Sequence, residues 1–240
     1  MKTTSDRARI ISKPSIALPL VSGVTVILVC AFVFVANEML EGDLAQFDTA
    51  LQMAFRTSGD LSTLIGPPWV QEAARDVTAL GSFAFLAILF LGTVGYLLLA
   101  GRRDLALLVA IAVLGGAALS TALKLGFNRP RPALQHAARV FTASFPSGHA
   151  MLSAVTFLTL GALLTRVSTN WRLKLYFMSM ALLLTFIVGV SRVYLGVHYP
   201  SDVVAGWIIG GAWAMFCWAV ALCLQQRGNL TPPAPTLSRT

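Results

Sequence analysis

Apolar residues gather in six blocks along this chain of 240 residues: 16–36, 81–100, 105–123, 146–165, 175–190 and 203–224. A helix needs about 20 apolar residues to cross a bilayer, and each block reaches or approaches that length. None alternates apolar and polar positions with the period of two that a membrane barrel strand shows. The pattern predicts an all-α protein, an integral membrane bundle of six transmembrane helices. It divides the chain into a basic N-terminal segment (1–15), a membrane domain (16–225) and a polar, proline-rich tail (226–240) expected to be disordered. No internal repeat and no separate soluble domain is visible.

The long connection from Asn37 to Leu80 has a different period. In DLAQFDTALQMAFR, Leu44, Phe47, Leu51 and Phe55 recur at steps of three and four, opposite Asp43, Gln46, Asp48 and Gln52. That spacing predicts an amphipathic helix in an outer loop. Such a helix can lie along the membrane surface or pack on the bundle, and the pattern suits both.

Composition sharpens this picture. The chain is 56% hydrophobic and 12% charged, with mean hydropathy +0.74, whereas soluble domains are about a quarter charged. The net charge of +8 would suggest nucleic acid in a soluble protein. Here lysines and arginines at helix ends orient the chain and meet anionic lipid, so the expected partner is the bilayer and not nucleic acid. Cys30, Cys217 and Cys223 all sit inside apolar blocks and form neither a disulfide framework nor a spaced metal site. The first block follows Lys2, Arg7, Arg9 and Lys13 like a signal peptide. It is longer than a typical signal core and lacks a clear cleavage site, so it reads as an uncleaved helix.

An even number of crossings puts both termini on one side. That side carries eleven of the 18 Lys and Arg residues, and the other carries eight of the 10 acids. The positive-inside rule makes the termini cytoplasmic and the second side periplasmic or exterior, in a plasma or inner membrane.

Three polar clusters interrupt the apolar blocks, all on the outer side: KLGFNRPRP (124–132), PSGH (146–149) and SRVYLGVHYPSD (191–202). Four helix ends thus converge on one face. Lys124, Arg131 and Arg192 supply three cations suited to a tetrahedral oxyanion, above all phosphate, because the arginine fork matches two oxygens at once. Pro146 and Pro200 are expected at first helical positions, which would put Ser147 and Gly148 in a first turn whose free N–H groups favour an anion. Of His149 and His198, one can attack phosphorus while the other protonates the leaving oxygen. Asp202 can hold the imidazole tautomer. Arg129 and His136 are near in sequence without a role that demands them. Arg75 and Asp76 read as an interfacial ion pair or a head-group contact. No histidine joins a carboxylate pair at ligand spacing, so no metal and no cofactor is expected.

These clusters resemble the type 2 phosphatidic acid phosphatases (PAP2 superfamily). That pattern is Lys, six residues, Arg-Pro; then Pro-Ser-Gly-His; then Ser-Arg, five residues, His, three residues, Asp. Lys124, Arg131, Pro132, Pro146, Ser147, Gly148, His149, Ser191, Arg192, His198 and Asp202 match it in order and spacing. The resemblance extends over about residues 40–225 and is closest to the bacterial membrane branch. It implies His198 as the nucleophile of a phosphohistidine intermediate, Asp202 as its orienter, and His149 as acid and then base. It implies Lys124, Arg131, Ser147, Gly148 and Arg192 as holders of the phosphoryl oxygens, and no metal.

A phosphate pocket at a membrane edge suits a lipid that keeps its tail in the bilayer. The expected substrate is a phospholipid or polyprenyl phosphate: a polyprenyl diphosphate such as undecaprenyl diphosphate, phosphatidate or phosphatidylglycerophosphate. The same pocket would serve a phosphotransferase to another lipid or a sugar. A non-catalytic lipid transporter is the remote alternative, disfavoured because no charge sits mid-span in the six blocks.

Overall fold

The computed structural model describes residues 17–58, 60–132 and 142–226. The basic N-terminal segment, the tail beyond Gln226, and His136 lie outside the described residues. The order of elements is α1 (Ala17–Glu41), α2 (Ala45–Met53), β1 (Arg56–Thr57), β2 (Asp60–Leu64), α3 (Pro68–Ala79), α4 (Phe83–Leu99), α5 (Arg103–Phe127), α6 (Gly148–Val167), α7 (Trp171–Tyr194) and α8 (Pro200–Gln226).

Helices α1, α5, α6, α7 and α8 are each long and apolar enough to cross a membrane. With 17 residues α4 is about 26 Å long, slightly short of the hydrocarbon thickness. It is joined to α3 at a 44° bend, and the two together are long and apolar enough for a sixth span. The protein is a multi-pass membrane bundle, as the six apolar blocks predict. In lipid only helices and closed barrels satisfy every backbone group internally.

At the centre is α6, packed against α5, α7 and α8; α1 lies along α8, α4 along α5 and α3 against α7. Close approach of α8 to α6 depends on two glycines four residues apart, the small-residue spacing by which membrane helices touch backbone to backbone. A methyl at Gly206 would lie 2.8 Å from the Ser147 carbonyl oxygen, and one at Gly210 2.6 Å from that of Met151. The first turns of α6 and α8 are thereby held together, and Ser147 donates its N–H to the Asp202 carbonyl at 2.9 Å.

Three local devices fix the helix ends at which the three polar clusters lie. Asn128, in the left-handed region at φ 44°, ends α5 and donates its N–H to Lys124 O; asparagine is one of the few residues that accept this conformation. Pro130 and Pro132 forbid further helix. Before α6, the buried Phe145 stacks on Phe32 of α1 and meets Phe127 of α5 edge-on. At the end of α7, Arg56 donates to the Tyr194 carbonyl at 3.0 Å, and the Tyr194 hydroxyl donates to Ile65 O at 2.7 Å. The antiparallel hairpin β1–β2, absent from the sequence expectation, is thus fastened to α7.

The amphipathic helix forms as α2, shorter than its motif, and the side that packs is the polar one. Asp48 and Gln52 are 1% and 5% exposed, while Phe47 and Leu51 are 50% and 38% exposed. Asp48 meets α8 and Gln52 the α7–α8 link, while Phe47 and Leu51 point away from the bundle and Phe55, beyond the end of α2, packs on Tyr194. Of the two expected prolines, Pro200 opens α8, but α6 begins at Gly148 with Ser147 as its cap. Pro146 therefore precedes the cap instead of opening the helix, because the Ser147 side chain accepts from Ala150 N.

Candidate active site

Every candidate residue of the three clusters comes to the same end of the bundle. Lys124 closes α5, and Arg131 follows in the loop after it. Ser147, Gly148 and His149 open α6. Arg192 ends α7, His198 is in the short α7–α8 link, and Asp202 is in the first turn of α8. Arg75 and Asp76 are exposed on α3, and no ion pair joins them.

The arrangement centres on His198, which is 1% exposed. Arg131 Nη1 lies 3.0 Å from its Nε2. A guanidinium has donors only, so Nε2 must accept and the ring proton sits on Nδ1. Nδ1 faces Asp202 Oδ2 and Ser144 Oγ, each at 3.4 Å. Asp202, 0% exposed, is pinned from several sides. Its Oδ2 accepts from the Tyr199 N–H at 2.9 Å and, in a very short bond, from the Ser144 hydroxyl. Its Oδ1 accepts from Arg129 Nη1 at 2.6 Å. The ring therefore turns its Nε2 lone pair towards Arg131, with its tautomer set from behind. Burial pushes the His198 imidazole down to about 4, against the upward pull of Asp202. It is neutral at neutral pH.

Arg131 reaches this nitrogen, and Lys124 and Arg192 are further cations at the same end of the bundle. Arg131 is anchored by Nε to Thr142 O and by Nη1 to Val197 O, both at 2.8 Å. Lys124 Nζ donates to Ala143 O at 2.7 Å. A methyl at Gly148 would come 3.4 Å from Lys124 Cε, so the opening of α6 sits directly beside this ammonium. Arg192 donates Nη1 to Thr78 Oγ1 of α3 at 3.2 Å, while its buried Nε has no hydrogen-bond partner. A buried donor left unpaired is costly, and an acceptor entering the site would satisfy it. The His149 ring lies within electrostatic range of Arg192, His198, Arg131 and Lys124. It packs near Gly81, in the bend between α3 and α4.

Sequence reasoning missed Ser144, Asp48 and Gln52 and left Arg129 without a task. Arg129 bridges Asp202 and Asp48, with Nη2 at 2.8 Å from Asp48 Oδ2. Burial alone would lower its guanidinium, but Asp202 and Asp48 outweigh that and hold it above its ordinary value. The polar face of α2 carried the one available signal, since Asp48 and Gln52 are spaced to share a side. A carboxylate cluster, Glu38, Glu41 and Asp43, forms at the end of α1 and includes none of the site residues.

The family model of the PAP2 superfamily matches residues 105–224. Phosphatidylglycerophosphatase B of Bacillus subtilis is 31% identical over 165 residues, 67% of this chain and 80% of that protein. Lipid A 1-phosphatase of Rhizobium etli is 30% identical over 193 residues, 70% of this chain and 78% of that one. The crystal structure of a transmembrane PAP2 type phosphatidylglycerolphosphate phosphatase from Bacillus subtilis aligns with TM-score 0.74 at 27% identity, covering 83% of this chain and 96% of that one.

Proposed function

The chain belongs to the PAP2 superfamily and is a phosphate-ester hydrolase of the membrane; on that premise we propose a lipid phosphatase that works through a phosphohistidine. The observation that carries this reading is the His198 ring, with the Nε2 lone pair facing the Arg131 guanidinium and Asp202 behind Nδ1.

In the proposed reaction Arg131, Arg192 and Lys124, with the Ser147 and Gly148 turn, hold the equatorial phosphoryl oxygens. His198 Nε2 attacks phosphorus as the bond to the leaving oxygen breaks. Asp202 stabilises the imidazolium that forms. His149 gives its proton to the leaving alcohol or phosphate. It then takes a proton from water, whose oxygen attacks the phosphohistidine and releases inorganic phosphate. The charge that builds on the oxygens is met by preorganised donors, the largest single source of rate in such sites.

The substrate we propose is a phosphorylated membrane lipid, with phosphatidylglycerophosphate first to be tried. Two considerations support it: the likeness to phosphatidylglycerophosphatase B over most of that protein's length, and a site at the helix ends, where a lipid can present its head group without leaving the bilayer. By the balance of lysine and arginine, the termini are cytoplasmic and the site faces outward.

The test is phosphate release by detergent-purified protein from phosphatidylglycerophosphate, phosphatidate and undecaprenyl diphosphate, with EDTA present and a His198→Ala variant alongside. Release from one of these lipids, unaffected by EDTA and abolished in the variant, is the expected result. Normal turnover by His198→Ala would overturn the mechanism. Phosphoryl transfer to an added lipid with no free phosphate would make the protein a transferase.

A further inference from the structure

Arg129 uses its fork away from the phosphate-holding cations. Nη1 donates to Asp202 Oδ1 at 2.6 Å and to Ser201 Oγ at 2.8 Å, and Nη2 donates to Asp48 Oδ2 at 2.8 Å. Asp48 in turn accepts from Ser201 N at 2.8 Å and from Ser201 Oγ at 2.6 Å. The ring of bonds is closed: α2, the loop after α5 and the first turn of α8 are tied at one point. The Ser201 N–H is among those an α-helix leaves unpaired at its start, and Asp48 caps it from another element. Both carboxylates are almost wholly buried, and a buried charge persists only when paired. Arg129 pairs both, and its guanidinium lies 4.2 Å from the centre of the Tyr199 ring. A second strut from α2 reaches the same place, since Gln52 Nε2 donates to the His198 carbonyl at 3.3 Å.

We propose that Arg129 is a positioning residue for the reaction and that Asp48 of α2 holds it there, so that the outer-loop helix sets the geometry of the Asp202–His198 pair. The proposal rests on the reading of His198 as the nucleophile. With Arg129 on Oδ1, the Asp202 carboxylate cannot rotate, and Oδ2 stays aligned for Ser144, the Tyr199 N–H and His198 Nδ1. Arg129 also shares the Asp202 charge. Without it, the full carboxylate charge acts on the imidazole, which then binds a proton more readily. The other charged or titratable groups that act on His198 are Arg131, Arg192 and His149, and the variants below leave all three in place.

The experiment compares Arg129→Gln, Arg129→Lys, Asp48→Asn and the Gln/Asn double variant with wild type, on the lipid that the wild-type protein hydrolyses. The expected result is a fall in kcat of about 10- to 100-fold in Arg129→Gln and Asp48→Asn, with KM within about twofold. Arg129→Lys recovers part of the loss, and the double variant loses no more than the worse single one, as members of one network do. A histidine titration by NMR reads the same coupling without turnover: the proton affinity of His198 rises about tenfold in Arg129→Gln. Unchanged kcat and an unchanged titration would overturn the relay. So would a rise in KM alone, which would make Arg129 a substrate contact, or a loss that follows only the folded fraction. An active His198→Ala variant would instead overturn the nucleophile, while the titration still reports on the relay.

Discussion

Arg131 Nη1 lies 3.0 Å from His198 Nε2, so a cation proposed to bind phosphate also covers the lone pair proposed to attack it. Phosphate oxygens are stronger acceptors than an imidazole nitrogen, and their arrival would draw the guanidinium off the ring. Arg131→Ala should therefore move two observables in opposite directions. Phosphatase kcat/KM falls about 100- to 1,000-fold, while modification of His198 by diethyl pyrocarbonate, followed by mass spectrometry, becomes faster. Slower modification would show that Arg131 does not shield the ring.

The buried neutral imidazole makes stability depend on pH. The His198 folded value of about 4 lies below the ordinary value near 6.5 of an unfolded histidine. The contribution is fully present above about 6.5 and is lost as pH falls through that window towards 4. Thermal unfolding in detergent should show Tm declining across this interval, and the decline should be shallower in His198→Asn. Equal slopes in the two proteins would assign the acid sensitivity to other groups.

Ser144 contributes a hydroxyl that both Asp202 and His198 use. Ser144→Ala removes one donor from a buried carboxylate, a change worth about 1–3 kcal/mol. We expect kcat to fall roughly tenfold or more with KM little changed, because no phosphate contact is assigned to this side chain. Steady-state kinetics on the identified lipid decide it, and a change confined to KM would move Ser144 into the phosphate pocket.

The contact between α6 and α8 predicts a graded response to added methyl groups. Gly210→Ala forces a separation at Met151 and should destabilise the protein by about 1–3 kcal/mol. Gly206→Ala presses on the Ser147 carbonyl and should in addition lower activity in the protein that remains folded. Unfolding curves and specific activity per folded molecule separate the two effects.

The spacing of Lys124, Arg131, His149, Arg192, His198 and Asp202 made the phosphate chemistry legible, since those residue types at four helix ends have few other uses. The six spans were legible because each apolar block is long. The side on which α2 packs was not. A stripe of Leu and Phe opposite Asp and Gln reads identically whether the stripe seeks a core or lipid. The half-buried Arg129, 81 residues along the chain from Asp48, and Ser201 decide for the polar side. Ser144 carried no signal, being a lone serine. The hairpin β1–β2 is too short for a periodic pattern and is held by Tyr194 of α7, a partner that local sequence cannot name.

The outward stripe of α2 also states how this enzyme would have to be repainted to work in water. Phe47 and Leu51 are the positions on that helix to exchange for polar residues, while Asp48 and Gln52, the residues a helical wheel would leave facing solvent, are the ones to keep. A redesign that instead turned the greasy side inward would withdraw Asp48 from Arg129 and break the α2 end of the network behind the histidine.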